Sequence, residues 1–359
     1  MAPLTKATLR RLRMPLIRPY KLSYKTFEEF EPFVVELEDA DGRRGFADGH
    51  ISPGSSSETR EGGWAFITAR LGEIMGREPG EASAHVLKQF DESKVAATAI
   101  GAAIEVLEGS PYIAIPAAVA VPLLTPTSGH TAAEIEQEVE ERLAEGFRTF
   151  KIKVGKDVDA DLTRVGLFQK AVGKRATLRL DANRAFSRDD GMRFARSLKP
   201  EQIELFEQPC ESAEWAANAD VASVSTVPVM LDEPICTLAD IDRAAGINGV
   251  GLCKLKLKRF GSMARLQEGL ERVRAGGMEP VLGDGIGSEI QNWLEACVAR
   301  TTIRNAGEFN GFLKSKDTLF VEPLKFEAGA IQIPAGFKPR LDPAKMDRLT
   351  IESAEFRAD

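Results

Sequence analysis

The sequence predicts an α/β protein, a (β/α)8-type (TIM) barrel with a smaller α+β domain ahead of it. Three observations carry this reading. Five short segments, FKIKVG (150–155), LRLDAN (178–183), IELFEQP (203–209), VMLDEP (229–234) and LCKLKLK (252–258), each read as a strand ending in a charged residue and a turn. Their charged ends, Lys153, Asp181, Glu207, Asp232 and Lys256, fall 28, 26, 25 and 24 residues apart, the length of one strand, one helix and two short loops. A parallel βα repeat needs that period. The N-terminal third instead shows strand patterns followed by helical ones, the order of a small α+β unit.

Taken in order, LTKATLRRL (4–12) and FVVELEDA (33–40) read as strands, the second turning at Asp41-Gly42. Helical periodicity follows over 57–76 and 81–107. The barrel is expected to begin at IPAAVAVPLL (115–124). Thr131 with Glu134 forms a capping box, Ile135, Val139 and Leu143 supply one apolar face, and Gly146 closes the helix that leads into FKIKVG. Ser187 with Asp190, and Thr237 with Asp240, start helices in the same way. VLGDGIGSE (281–289) and IRNAGEFNGF (303–312) are read as the seventh and eighth strands with their loops. The glycine run Gly283, Gly285, Gly287 before a Ser288-capped helix is a place where an anion could sit. From Val321 the chain is proline-punctuated and is expected to fold back on the N-terminal domain. The expected division is 1–114, 115–320 and 321–359.

Composition narrows the function classes. A net charge of −7 argues against nucleic acid or an anionic membrane as partner, since both call for a basic face. The first residues, MAPLTKATLRRLRMPL, are interrupted by lysine, arginine and proline, so no signal peptide or membrane span is expected and the address is read as cytoplasmic. The four cysteines are widely spaced and contain no C-x-x-C, which points to reduced thiols. His50, His85 and His130 all precede the charged strands, so a histidine base in the barrel is not expected.

Side chains alternate along a strand, so Lys151 and Lys153 share a face, as do Arg179 with Asp181, Leu205 with Glu207, Met230 with Asp232, and Lys254 with Lys256. In a closed barrel these charges converge at the carboxyl ends of the strands, where such barrels hold their active sites. Asp181, Glu207 and Asp232 would repel one another there unless they bound protons or shared a cation. A set of carboxylate oxygens suits Mg²⁺ better than Zn²⁺. A neutral lysine beside the ion could then take the weakly acidic α-hydrogen of a carboxylate substrate. Its pKa, near 10.4 when free, would have to be lowered by neighbouring cations such as Lys151, Lys254 and the metal.

The motifs K-x-K at Lys151 and Lys153, D-A-N at Asp181, E-Q-P at Glu207, D-E-P at Asp232, and a lysine five residues before glycine (Lys256 to Gly261) resemble the muconate-lactonizing subgroup of the enolase superfamily. The resemblance implies an enolase-type barrel under an N-terminal capping domain, whose loops at 18–30 and 49–57 close over the barrel mouth. It also implies a homo-oligomer, and Mg²⁺ held by Asp181, Glu207 and Asp232 with Lys153 and Lys256 as acid/base pair on opposite faces of the substrate. Lys151 is given a positioning or electrostatic role, and Asn183 and Glu233 a supporting one. Asp284 and Glu308, if they face the cavity, would suit a substrate ammonium or hydroxyl, which makes an amino-acid-like carboxylate plausible. The chain departs from the subgroup where Gly45-Phe46-Ala47-Asp48 stands for a G-x-G-E turn and Glu105-Val106-Leu107 for a tryptophan-aspartate pair. Gly307-Glu308-Phe309-Asn310 is not the D-x-D of dipeptide epimerases. The expected reaction is α-proton abstraction through an enediolate by a racemase or epimerase. A dehydratase or cycloisomerase working through the same intermediate is the alternative, and a non-catalytic binding relative is a second.

Overall fold

The structure is a computed structural model that describes residues 1–21, 26–54 and 56–358. Strand β1 (Leu4–Leu12) buries Leu4, Ala7, Leu9 and Leu12. Strands β2 (Met14–Lys21) and β3 (Thr26–Phe30) pair antiparallel, so part of the expected 18–30 loop is a β-ribbon, with 22–25 outside the described residues. Strands β4 (Phe33–Asp39) and β5 (Arg44–Gly49) complete a sheet that also takes in the last strand of the chain, Thr350–Arg357, paired antiparallel with β1.

Helices α1 (Arg60–Ile74) and α3 (Lys94–Leu107) pack on this sheet, and α2 (Pro79–Leu87) packs on α3. The single helical pattern read over 81–107 is therefore two helices. A 3₁₀ turn at Phe90–Glu92 and the extended Ser93 separate them, because Ser93 leaves the helical backbone before α3 begins. The alanine-rich α3 is buried along nearly its whole length. Small side chains let other backbone approach: a Cβ on Gly101 would stand 2.3 Å from the Gly261 carbonyl oxygen.

The barrel starts later than the sequence suggests. Strand β6 (Val119–Pro122) pairs antiparallel with a C-terminal strand at Ala330–Ile333, and the first barrel strand is the short β7 (Thr125–Pro126). The chain then alternates as predicted: α4 (Ala132–Ala144), β8 (Thr149–Lys153), α5 (Val158–Val172), β9 (Thr177–Asp181), α6 (Arg188–Ser197), β10 (Ile203–Glu207), α7 (Trp215–Val224), β11 (Val229–Leu231), α8 (Leu238–Ala245), β12 (Val250–Leu255), α9 (Met263–Ala275), β13 (Glu279–Leu282) and α10 (Glu289–Thr302). Strands β7 to β13 form one parallel sheet in sequence order. The expected eighth strand is reduced to a bridge: Gly307 pairs with Leu123 through bonds to Pro122 and Leu124, and Glu308 N–H donates to the Leu282 carbonyl at 3.0 Å, linking the two edges. The chain ends in β14 (Lys325–Glu327), β15 (Ala330–Ile333), α11 (Pro343–Leu349) and β16 (Thr350–Arg357).

The helix starts read from the sequence are present. Thr131 with Glu134 and Thr237 with Asp240 form reciprocal capping boxes, and Ser187 accepts from the Asp190 N–H. The N-terminus of α10 does not await an external anion. The buried Asp48 carboxylate, from the segment that departs from G-x-G-E, lies beside Ser288 and Gln291 there, and burial pushes it up to about 7. Glu105, from the other departing segment, accepts from the Met263 and Ala264 N–H groups at the start of α9, and Thr98 Oγ1 accepts from Gly261 N–H at 3.1 Å. Both departures thus attach N-terminal elements to barrel helices.

Glu295 on α10 lies wholly buried, accepting from the Leu257 N–H at 3.2 Å. Burial, helped by the Asp284 charge, raises its pKa from 4.5 to about 8. A carboxyl that holds its proton more tightly in the fold than in the open chain stabilises most below pH 4.5, and this contribution is lost as pH rises toward 8. Glu295→Gln keeps an acceptor for Leu257 without the titration. The melting temperatures of parent and variant should therefore agree near pH 4.5 and diverge in the variant's favour by pH 8. A gap that does not change over this range would contradict the assignment.

Candidate active site

Registry brings the strand tips together. Lys153 of β8 stands opposite Asp181 of β9, which stands opposite Glu207 of β10. Asp232 follows directly on β11. All three acids are buried. They line a cavity of about 360 Å³ with Lys151, Lys153, Asn183, Lys254, Lys256, Asp284 and Glu308, so every residue singled out from the sequence reaches one chamber. Both expected capping segments reach it too, through Tyr20 and through Ser52, Ser56 and Ser57; Ser55 is outside the described residues.

Each acid has ammonium partners. Lys153 bonds Asp181 at 2.5 Å and donates to the Asn183 side-chain oxygen. Lys256 bonds Asp232 at 2.9 Å, and Arg259 holds the other oxygen of Asp232 at 2.9 Å. Thus the two lysines stand at opposite ends of the row Asp181, Glu207, Asp232. Between them Lys151 lies 2.8 Å from Asp181, 2.9 Å from Glu207 and 2.8 Å from Glu308. Lys254 lies 3.1 Å from Glu207 and also bonds Glu308.

Burial works against all of these charges, and the partners decide the outcome. Burial would raise Asp181, but Lys151, Lys153 and Lys254 hold it down at about 2. Asp232 and Glu308 are likewise kept well below the carboxylate range by their cations, against burial. Glu207 moves the other way, raised by burial and by the Asp181 charge. Its Oε2 is buried and faces the Lys151 ammonium at 2.9 Å.

The donor set fits a hard dication in kind: three buried carboxylates on adjacent strand tips, their charges balanced here by ammonium groups. As the side chains lie, no three acidic, histidine or cysteine groups among the described residues stand close enough to share an ion. Lysine ammonium groups hold the acids instead, and a metal at this place would take Asp181, Glu207 and Asp232 from them.

Asp284 and Glu308 face the cavity, but neither is a free acid. Asp284 is paired with Lys258, and burial notwithstanding this cation holds it at about 2. Glu308 is shared by Lys151 and Lys254.

The sequence reading missed several wall residues. Lys258, Arg259 and Arg184 come from turns whose direction no strand periodicity gives. Behind the wall, Lys314 sits 4.7 Å over the ring of the lining Tyr20 and donates to the Gly285 carbonyl at 2.7 Å; burial lowers it to about 7 despite Glu308 and Asp284.

A family profile described as enolase C-terminal domain-like matches residues 134–339, more than half of the chain. The chain belongs to the enolase superfamily. This enolase-superfamily enzyme is 26% identical to an L-Lys-D/L-Arg epimerase of Methylococcus capsulatus over 70% of the present chain and 73% of that protein. Its fold matches the muconate lactonizing enzyme of Pseudomonas fluorescens complexed with muconolactone, with a TM-score of 0.84 at 21% identity, over 97% of this chain and 99% of that one. It also matches the dipeptide epimerase of Cytophaga hutchinsonii complexed with Mg and D-Ala-L-Val, with a TM-score of 0.87 at 19% identity, over 99% and 100%. The superfamily barrel and its N-terminal α+β unit are therefore the architecture of this enzyme.

Glu308 carries much of the buried charge balance. Glu308→Gln should leave Lys151 and Lys254 sharing too little negative charge and lower unfolding stability by about 3 kcal/mol, as breaking a buried ion pair does. A urea midpoint measured at unchanged m-value reads this. Adding Lys254→Met to the same chain should restore most of the loss, because one cation is removed with the anion.

Proposed function

We propose that this enzyme removes the α-proton of a carboxylate substrate in a Mg²⁺-dependent reaction and returns a proton to the same carbon, as a racemase or epimerase. The observation that carries the reading is the placement of Lys153 and Lys256 at the two ends of a buried row of carboxylates. Asp181, Glu207 and Asp232 would hold the metal. When bound, it would supply positive charge to the substrate carboxylate as its α-carbon becomes electron-rich.

Lys153 takes the proton from one face of the substrate, and Lys256 gives one to the other. Because the two amines are chemically alike, the roles exchange for the opposite antipode. Asn183, which accepts from the Lys153 amine, fixes its direction. Lys151, fully buried among Asp181, Glu207 and Glu308, stays protonated and orients the acids, since those three charges raise it well above the usual lysine range despite burial. Tyr20 and Ile286 close part of the wall against water.

The name of the M. capsulatus relative supports epimerisation. The likeness to a muconate lactonizing enzyme keeps a second reading in view, in which the same proton is removed and the intermediate then closes a ring or expels a β-group. Those reactions use the same lysines. A purely binding role fits less well, because it gives no reason to keep both amines at the ends of the acid row.

Incubation of paired D- and L-carboxylates in D₂O with Mg²⁺ tests the proposal. The parent should exchange the α-hydrogen of both antipodes. Lys153→Ala and Lys256→Ala should each lose exchange with one antipode, by about 10²- to 10⁴-fold, and retain it with the other. Exchange of both antipodes at the parental rate in either variant would refute the two-base assignment.

A further inference from the structure

Arg184 differs from the lysines and the arginine around the acid row, and shares with Lys94 at the cavity rim, 3.6 Å from Asp91, the lack of a close carboxylate. Lys151, Lys153, Lys254, Lys256, Lys258 and Arg259 each have a carboxylate oxygen within 3.1 Å. The Arg184 guanidinium also lines the cavity, yet its nearest acids are Glu233 at 3.6 Å and Glu211 at 3.7 Å, beyond hydrogen-bond reach. Its Nε is buried and has no hydrogen-bond partner among the described residues. A guanidinium offers a planar fork of donors matched to an oxyanion, and here that fork is unfilled.

The backbone places it there at some cost. Asn183 and Arg184 have φ of 44° and 70°, a left-handed conformation unusual for residues with side chains. The turn is held by the Arg184 N–H bonded to the Gln208 carbonyl at 2.9 Å, and by the Ala185 N–H bonded to that of Ala182 at 3.0 Å. It aims residue 184 from the tip of β9, directly beside Asn183, which contacts Lys153. The cation therefore stands next to the acid/base machinery and outside the row of acids. Of the inner acids that could receive a substrate ammonium, Asp284 and Glu308 are already paired with lysines, and Glu233 has Arg184 itself as its neighbouring cation, at 3.6 Å.

We propose that the substrate is a dianion, and that Arg184 receives its second carboxylate while the first is held at the acid row. This rests on the proposed function and specifies its substrate class. An uncharged or ammonium-bearing end would leave the guanidinium fork unfilled, and the ammonium would face it with like charge.

Titration calorimetry with Mg²⁺ alone, and then with four-, five- and six-carbon dicarboxylates, their monoamides and the matching ω-amino acids, tests it. In the parent, the best dicarboxylate should bind at least about tenfold tighter than its monoamide and its ω-amino analogue. In Arg184→Asn, a residue tolerant of left-handed backbone, the preference should fall below about threefold with Mg²⁺ and monoamide affinities unchanged. Arg184→Lys, which keeps the charge and loses the fork, should retain an intermediate preference. Equal binding of dicarboxylate and monoamide by the parent, a preference that survives in Arg184→Asn, or tightest binding of an ω-amino acid would each overturn the inference while leaving metal-dependent carboxylate binding intact. Failure of the parent to bind Mg²⁺, or any carboxylate in its presence, would overturn the proposed function and this inference with it.

Discussion

Four ionised side chains withdrawn from water must neutralise one another, and in this barrel they do so across its axis. Lys151, Glu207, Lys254 and Glu308 come from β8, β10, β12 and the bridge that replaces an eighth strand, and each lysine touches both carboxylates. Barrel interiors are filled by layers of four side chains from alternate strands, usually apolar and branched. Here the layer under the cavity floor is a closed ring of alternating charge. Just below it Leu205, Met230, Val281 and Leu252 form an apolar cluster of ordinary kind. The ring fixes which way Glu207 and Lys151 point, and through Lys151 it reaches Asp181, so the acid row is oriented before any ligand arrives.

The elements around the barrel transmit that constraint outward. The tip of β12 continues into the turn carrying Lys258, Arg259 and Gly261, and this turn is held from α3 by Thr98 and from α10 by Glu295. Asp48 sits at the start of α10, while Phe46 packs on Trp293 of the same helix with ring centroids 5.9 Å apart. The N-terminal unit therefore grips the barrel at the loops that carry the candidate catalytic groups. The two segments where the sequence departs from subgroup expectation are parts of this grip: Glu105 accepts from N–H groups at the start of α9, and Phe46, two residues before Asp48, packs on Trp293 of α10.

Much of the fold was legible because a βα repeat imposes a period, and the charged tips at Lys153, Asp181, Glu207, Asp232 and Lys256 kept it. Helix starts were legible for a local reason: Thr131, Ser187 and Thr237 each bond a backbone N–H three residues ahead, a contact independent of distant parts of the chain. The barrel's two edges were less so. VAVP could have paired in either direction, and the choice went to an antiparallel partner more than 200 residues away, at Ala330–Ile333. The segment at 303–312 has a strand's composition, but its backbone bonds are divided between Leu124 and Leu282, leaving only a bridge.

Sequence by itself determined the parity of the strands and hence which acids and amines face the interior, because side-chain alternation is a property of the extended backbone alone. Tertiary structure decided which of those charges neutralise which. Asp284 and Glu308 carried no sign in the sequence of their partners, and closing the barrel set Lys258, Lys151 and Lys254 against them; Arg184 carried no signal there at all, and a left-handed turn set it on the cavity wall. Ion pairing depends on a few ångströms between groups remote along the chain, and only the folded arrangement fixes those distances.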